Sequence, residues 1–386
     1  MARPEPAPAR LVPNELGGLA PAGPGWFVVN AGDAAWFGSP EFGDACSFES
    51  RAEGARFPEL GINLRVLQPG RPSCRYHGET GQEDFLVLSG ACIAVVEEQE
   101  LPLGPWDLLH CPTMVEHVLI GAGDGPCVVI AVGARPVAEV VRYPVSAVAA
   151  RHSASVATET ASPAEAYAGC ERPAPIAARA DALAGAPGRA LPRTAAARVT
   201  AGGARPPAAL AATALGGLLP QGPGWFVVNA AETRWLRLDQ YGDWCTFEGG
   251  ADASFTDFGI NLHALQPGQP NGRYHGESGQ EDFLVLAGAC TLVIEEEERL
   301  LRPWDFVHCP SMIRHIFSGA GSEPCLLLMT GARPAEGGIL YPVSAAAARH
   351  GASVEVETDD PDVAYADRSP RYEIPPRRDL LDGSAR

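Results

Sequence analysis

The apolar residues of this chain fall in short blocks rather than along a helical stripe. Phe85–Leu88, Cys92–Val96, Leu108–Leu109 and Cys127–Val132 are apolar runs of strand length, and Gly and Pro break the chain between them. This pattern predicts β-strands. The acidic tetrads Glu97–Glu100 and Glu295–Glu298 lie between such runs and predict exposed hairpin turns rather than acidic metal sites. Many short strands joined by regular turns make a sandwich or a barrel. SAVAARHSASV after Tyr143-Pro144 and SAAAARHGASV after Tyr341-Pro342 predict short helices that leave the barrel. His152 and His350 on these appendages are expected to pack or cap rather than to bind a ligand.

The pattern occurs twice. GPGWFVVNA stands at Gly23–Ala31 and again at Gly222–Ala230, and RYHGETGQEDFLVLSG at Arg75–Gly90 returns as RYHGESGQEDFLVLAG at Arg273–Gly288. From Phe57 to Gly90 the second copy matches at 24 of 34 positions with a constant offset of 198. A period this long is a domain rather than a solenoid unit. The expected organisation is domain 1 over 14–169, a linker over 170–212, domain 2 over 213–367 and a tail over 368–386. The linker is rich in Ala, Arg and Pro and lacks aromatics and periodicity, so it is expected to be mobile and protease-sensitive. The two barrels are expected to pack with pseudo-two-fold symmetry, because shared apolar faces pair isologously.

Composition narrows the function. With 386 residues and 46% hydrophobic content, each half can bury a core. A net charge of −18 argues against nucleic acid and anionic membranes, both of which reward basic patches. No apolar run has the length of a membrane span, and MARPEPAPAR offers no apolar stretch for a signal peptide. The expected location is cytoplasmic, the expected partner a small molecule, with room for a homo-oligomer. The ten cysteines contain no CxxC pair and read as buried hydrophobes in a reducing compartment.

Eight of the nine histidines fall at equivalent places in the two copies: His77/His275, His110/His308, His117/His315 and His152/His350. Only His263 is alone, facing Arg65; among the cysteines, Cys74 and Cys170 are unmatched. His77, Glu79 and Glu83 share one parity, which on a strand places them on one face. His117 follows after a turn. The second copy repeats the set as His275, Glu277, Glu281 and His315. Two imidazoles with one or two carboxylates suit Fe, Mn, Ni, Co or Zn and leave positions open for substrate or water.

These residues resemble the two motifs of the cupin superfamily, and the chain as a whole resembles a bicupin. Gly70, His77, Glu83 and Gly90, then Pro112 and His117, stand where the motifs G…HxH…E…G and PxGxxH require them. Gly268, His275, Glu281, Gly288, Pro310 and His315 do the same in the second copy. The resemblance implies an all-β fold of two tandem jelly-roll (double-stranded β-helix) barrels, with one divalent transition metal in each. Two departures stand out. Glu79 and Glu277 replace the second histidine of HxH, and are either a fourth ligand or turned away. Met114 and Met312 replace the motif glycine between Pro and His. His110 and His308 are either supports behind the ligands or hydrogen-bonded core histidines. Arg75, Tyr76, Gln82 and Trp106 either shape the pocket mouth or belong to the scaffold. The resemblance implies a metalloenzyme of dioxygenase, decarboxylase or isomerase type, with a non-catalytic binding or sensor module as the alternative. No residue besides the ligands is an evident general base.

Overall fold

The structure, a computed structural model, describes residues 7–189 and 205–381. Each half carries one large and one small antiparallel sheet facing each other. In the first half the large sheet runs, in order, Ala174–Ile176, Ala35–Ser39, Gly43–Ser47, Leu60–Leu67, Cys127–Ala134, Glu83–Ser89 and Asp107–Cys111. The small sheet is Gln99–Leu103, Ala91–Val96 and His117–Ala122. The second half repeats both. This is the expected pair of β-barrels.

The strand Leu60–Leu67 shows how the sequence divides its two faces. Leu60, Ile62, Leu64 and Val66 alternate with Gly61, Asn63 and Arg65. The first set is buried in the core between the halves, while the second lines the cavity of the first barrel. Period two is what a strand between two different environments requires. Gly90 closes the motif strand in the left-handed region at φ 73°, and a Cβ there would lie 2.3 Å from the Pro126 carbonyl oxygen. No other residue fits both conditions.

The division into one barrel per copy is crossed at one strand. Phe226–Asn229 of the second copy is the edge strand of the first large sheet, paired with Asp107–Cys111. Reciprocally, Phe27–Asn30 pairs with Asp305–Cys309 of the second. The exchange is pinned by side chains. Asn30 Nδ2 donates to Asp305 Oδ1 at 2.8 Å, and Asn229 Nδ2 donates to Asp107 Oδ1 at 2.9 Å. The halves also share one apolar core, in which Phe48 stacks on Phe306 at 3.9 Å. Because each contact has its mirror image, the packing is isologous, with the pseudo-two-fold relation expected of a tandem repeat.

Several segments differ from expectation. Residues 170–212 are not a bare linker where they are described. Ala174–Ile176 pairs with Ala35–Ser39, the helix Ala180–Ala184 buries Ala182 and Leu183, and Ala209–Ala212 pairs with Leu218–Gln221. A few apolar anchors suffice there, because the strand edges offer unpaired backbone groups. Residues 190–204 of the expected linker lie outside the described residues. The tail behaves alike: Tyr372–Ile374 adds a strand to Arg234–Leu238, and Leu381 is buried. The helices Ala147–Ala150 and Ala345–Ala348 do not leave the barrels. Ala149 and Ala154 pack on Tyr76, Val95, Val118 and Ile120. The Glu-rich turns are hairpins with positive φ at Glu97 and Glu98, but Glu97 is buried and accepts a hydrogen bond from the Glu116 N–H at 3.0 Å.

Candidate metal centre

Two backbone hydrogen bonds bring the first pair of histidines together across strands. His77 N donates to His117 O at 3.2 Å and His117 N to His77 O at 2.8 Å. Glu83 opens the neighbouring strand Glu83–Ser89 and reaches between them: its Oε2 is 3.1 Å from His117 Nε2 and 3.6 Å from His77 Nε2. In the second barrel His275 and His315 pair by the same two bonds, and Glu281 Oε2 is 3.4 Å from His315 Nε2. In each triad the ligand atoms lie within 4.8 Å of one another, and among the described residues these are the groups able to hold a metal ion.

The other ring nitrogen of every histidine is already committed. His77 Nδ1 meets the Arg75 carbonyl at 2.9 Å, His117 Nδ1 the Val115 carbonyl at 3.0 Å, His275 Nδ1 the Arg273 carbonyl at 2.7 Å and His315 Nδ1 the Ile313 carbonyl at 3.0 Å. A carbonyl can only accept, so Nδ1 carries a proton and Nε2 is the ring nitrogen left to face the carboxylate or a metal. Backbone support of this kind orients metal-binding imidazoles. Glu83 Oε2 and His117 Nε2 are buried and have no hydrogen-bond partner beyond each other. Buried polar atoms without partners are costly, and a cation supplies what both lack.

The two clusters balance their charge differently. In the first, burial opposes charge on Glu83 and His117, yet His117 lowers the Glu83 carboxyl, while Cys111 and then Glu83 raise the His117 imidazole. In the second, burial prevails: it drives Glu281 up and His315 down to about 3. A divalent cation fits both, since it takes a neutral imidazole and an ionised carboxylate together.

Glu79 and Glu277 stand beside the triads. Glu79 Oε2 is 3.9 Å from His77 Nε2, and the two carboxylates line the cavities with Glu83 and Glu281 respectively. Neither belongs to the three-residue clusters. Burial and then the Glu83 charge push the Glu79 carboxyl up to about 7. The backbone under it is fixed by Met114, which sits in the left-handed region at φ 60° and donates its N–H to the Glu79 carbonyl at 2.5 Å. Met312 does the same for Glu277 at φ 65°. The glycine conformation of the motif therefore survives the loss of glycine.

The remaining candidates lie elsewhere. His110 Nδ1 is 2.7 Å from the fully buried Asp84, and its ring stacks on Phe255 of the other half at 4.0 Å. His308, Asp282 and Phe57 repeat this. Gln82 Nε2 donates to Asp84 at 2.7 Å and to the Phe258 carbonyl at 3.3 Å. These residues form a buried polar seam between the halves, so His110 and His308 are hydrogen-bonded core histidines, not supports for the triads. Arg75 ties the appended helices to the barrel through the Ser153 and Ala166 carbonyls. Tyr76 and Trp106 are buried scaffold, and His152 pairs with Glu100 at 2.6 Å. The cavity of the first barrel, about 330 Å³, is lined instead by Arg65, Cys74 and Tyr167 as well as His77, Glu79 and Glu83. The hints of this were the mismatch of Arg65 with His263 and the unmatched Cys74.

The cupin-domain family model matches residues 63–133 and again 261–331, enclosing both triads. The chain is a tandem cupin. No curated protein matches its sequence. Among solved structures, this bicupin is similar to protein Ylba from E. coli, with a TM-score of 0.50 at 11% identity, over 85% of this chain and 96% of that one. Oxalate decarboxylase from Bacillus subtilis aligns at 14% identity and a TM-score of 0.47, over 78% of this chain and 75% of that one. Salicylate 1,2-dioxygenase from Pseudoaminobacter salicylatoxidans, in complex with gentisate, aligns at 15% identity and 0.45, over 74% and 73%. At such identities the likeness is one of fold. No helix among the described residues is long and apolar enough to cross a membrane.

Proposed function

We propose that this bicupin is a metal-dependent enzyme acting on a small organic molecule, with one divalent transition metal in each barrel. His77, Glu83 and His117 hold the first metal, and His275, Glu281 and His315 the second. Glu79 and Glu277 are either a fourth ligand in each shell or turned away from it. The observation that carries the reading is the set of four imidazoles, each with Nδ1 held by a backbone carbonyl and Nε2 turned toward a buried carboxylate. Nitrogen and oxygen donors of this kind suit Fe, Mn, Ni or Zn. When bound, the metal supplies a Lewis acid or a redox centre with positions open to substrate. The chain's own groups hold the imidazoles in one tautomer and enclose the reacting molecule in a cavity.

The reading is tested by metal content per chain in wild type, His117→Ala, His315→Ala and the double variant. We expect about two, one, one and none, since each triad loses a ligand it cannot replace. Unchanged content in the variants would remove the assignment. Oxygen uptake with candidate substrates separates a dioxygenase from a decarboxylase or isomerase. A tightly held metal with no turnover would favour the binding or sensor alternative.

A further inference from the structure

We propose that the first barrel alone takes the substrate, and that the Arg65 guanidinium receives the carboxylate of a small organic acid beside the metal centre; this rests on the metal-dependent reading above. The inference comes from what the two copies do not share.

Arg65 points from the strand Leu60–Leu67 into the cavity that also contains His77 and Glu83. Among the described residues no carboxylate forms an ion pair with it and no hydrogen bond holds it. The neighbouring Arg135, by contrast, is neutralised by Glu49. The carboxylates sharing the cavity are Glu79, Glu83 and Glu139. The charge of Arg65 is felt at Glu83 and Tyr167, where it favours the anionic forms. A half-buried guanidinium without a counter-ion is costly, and its planar fork matches a carboxylate through two parallel hydrogen bonds.

The second barrel has lost the cation at this position, and its interior is divided. His263 stands at the place of Arg65, its Nδ1 buried without a partner, and burial pushes its pKa down to about 4, so it is neutral at physiological pH. Met329 replaces Ala131, and Asn271 replaces Ser73. Asn271 Nδ2 lies 3.8 Å from Met329 Sδ, and this contact divides the interior. Glu277, Glu281 and Met329 line one cavity, while His263, Asn271 and Tyr365 line another. In the first barrel the equivalents of both sets, Glu79 and Glu83 with Arg65, Ser73 and Tyr167, line a single cavity.

The test is calorimetric titration of the metal-loaded chain with succinate and malonate, using malonamide as the neutral control, with metal content measured on the same samples. We expect one carboxylate per chain, no binding of malonamide, at least a tenfold loss of affinity in Arg65→Gln, and partial retention in Arg65→Lys, all at unchanged metal content. Two equivalents per chain would overturn the asymmetry. Binding by Arg65→Gln within twofold of wild type, or no carboxylate binding with the metals in place, would overturn the role of Arg65. A wild type without metal would instead contradict the proposed function, while Arg65-dependent carboxylate binding by that metal-free chain would still uphold this inference.

Discussion

At the scale of single residues, Met114 and Met312 show that a motif position can be kept in shape and lost in identity. Both adopt a left-handed backbone, at φ 60° and 65°, where the motif has glycine. Each holds the backbone of a candidate ligand strand through one hydrogen bond, Met114 N to Glu79 O and Met312 N to Glu277 O. A residue with a Cβ gives up about 1–2 kcal/mol in that conformation. Met114→Gly relieves this cost but loses a half-buried side chain and loosens the unfolded chain, so its net effect on stability is expected within about 1 kcal/mol. Met114→Val keeps the cost and adds a branched Cβ, and is expected to destabilise by more than about 1 kcal/mol. Urea unfolding of the two variants separates them, and a valine variant as stable as wild type would show that the turn is not held there. The histidine–carboxylate spacing was legible in the sequence because ligands lie at fixed distances along two strands. Arg65 and Tyr167 were not, because they reach the cavity from strands and turns whose register only tertiary pairing sets.

At the scale of elements, the strands were legible as apolar blocks, but their partners were not. Gly23–Ala31 and Gly222–Ala230 read as matching starts of two separate domains. In the structure Phe27–Asn30 and Phe226–Asn229 each complete the other half's sheet. Nothing in a local pattern distinguishes a strand that pairs within its own copy from one that crosses, since the exchanged sequences are identical. The same limit explains the segments at 174–176 and 372–374. Their backbone pairing is set by an available edge rather than by their own composition. The exchange has a mechanical consequence. If a specific protease site is placed within residues 190–204 and cut, the two fragments are expected to stay together on size exclusion, because each carries a strand of the other's sheet and half of the polar seam Asp84–His110 and Asp282–His308. Fragments that separate without denaturant would show that the exchanged strands contribute little to cohesion.

At the scale of the whole molecule, the shared core couples two candidate metal sites that share no residue. Phe48, Phe57, Phe247 and Phe255 lie with Phe306 and Leu108 in one apolar cluster, so neither barrel can unfold and leave the other's core intact. Metal in either triad binds the folded chain far better than the unfolded one, which lacks a preformed site. At a hundredfold excess over the dissociation constant, each site then adds about 2.7 kcal/mol. Chelation is therefore expected to lower the melting temperature by several degrees, with His117→Ala and His315→Ala each losing about half of that response. The core adds a second condition: scanning calorimetry should give a single transition for the chelated, half-loaded and fully loaded protein alike. Two resolved transitions in the half-loaded variants would mean that the barrels unfold independently and that the exchanged strands and the seam fail to couple them. One transition that moves with each metal in turn would make the pair of cupin domains a single cooperative unit, in which a metal in the second barrel stabilises the walls of the first.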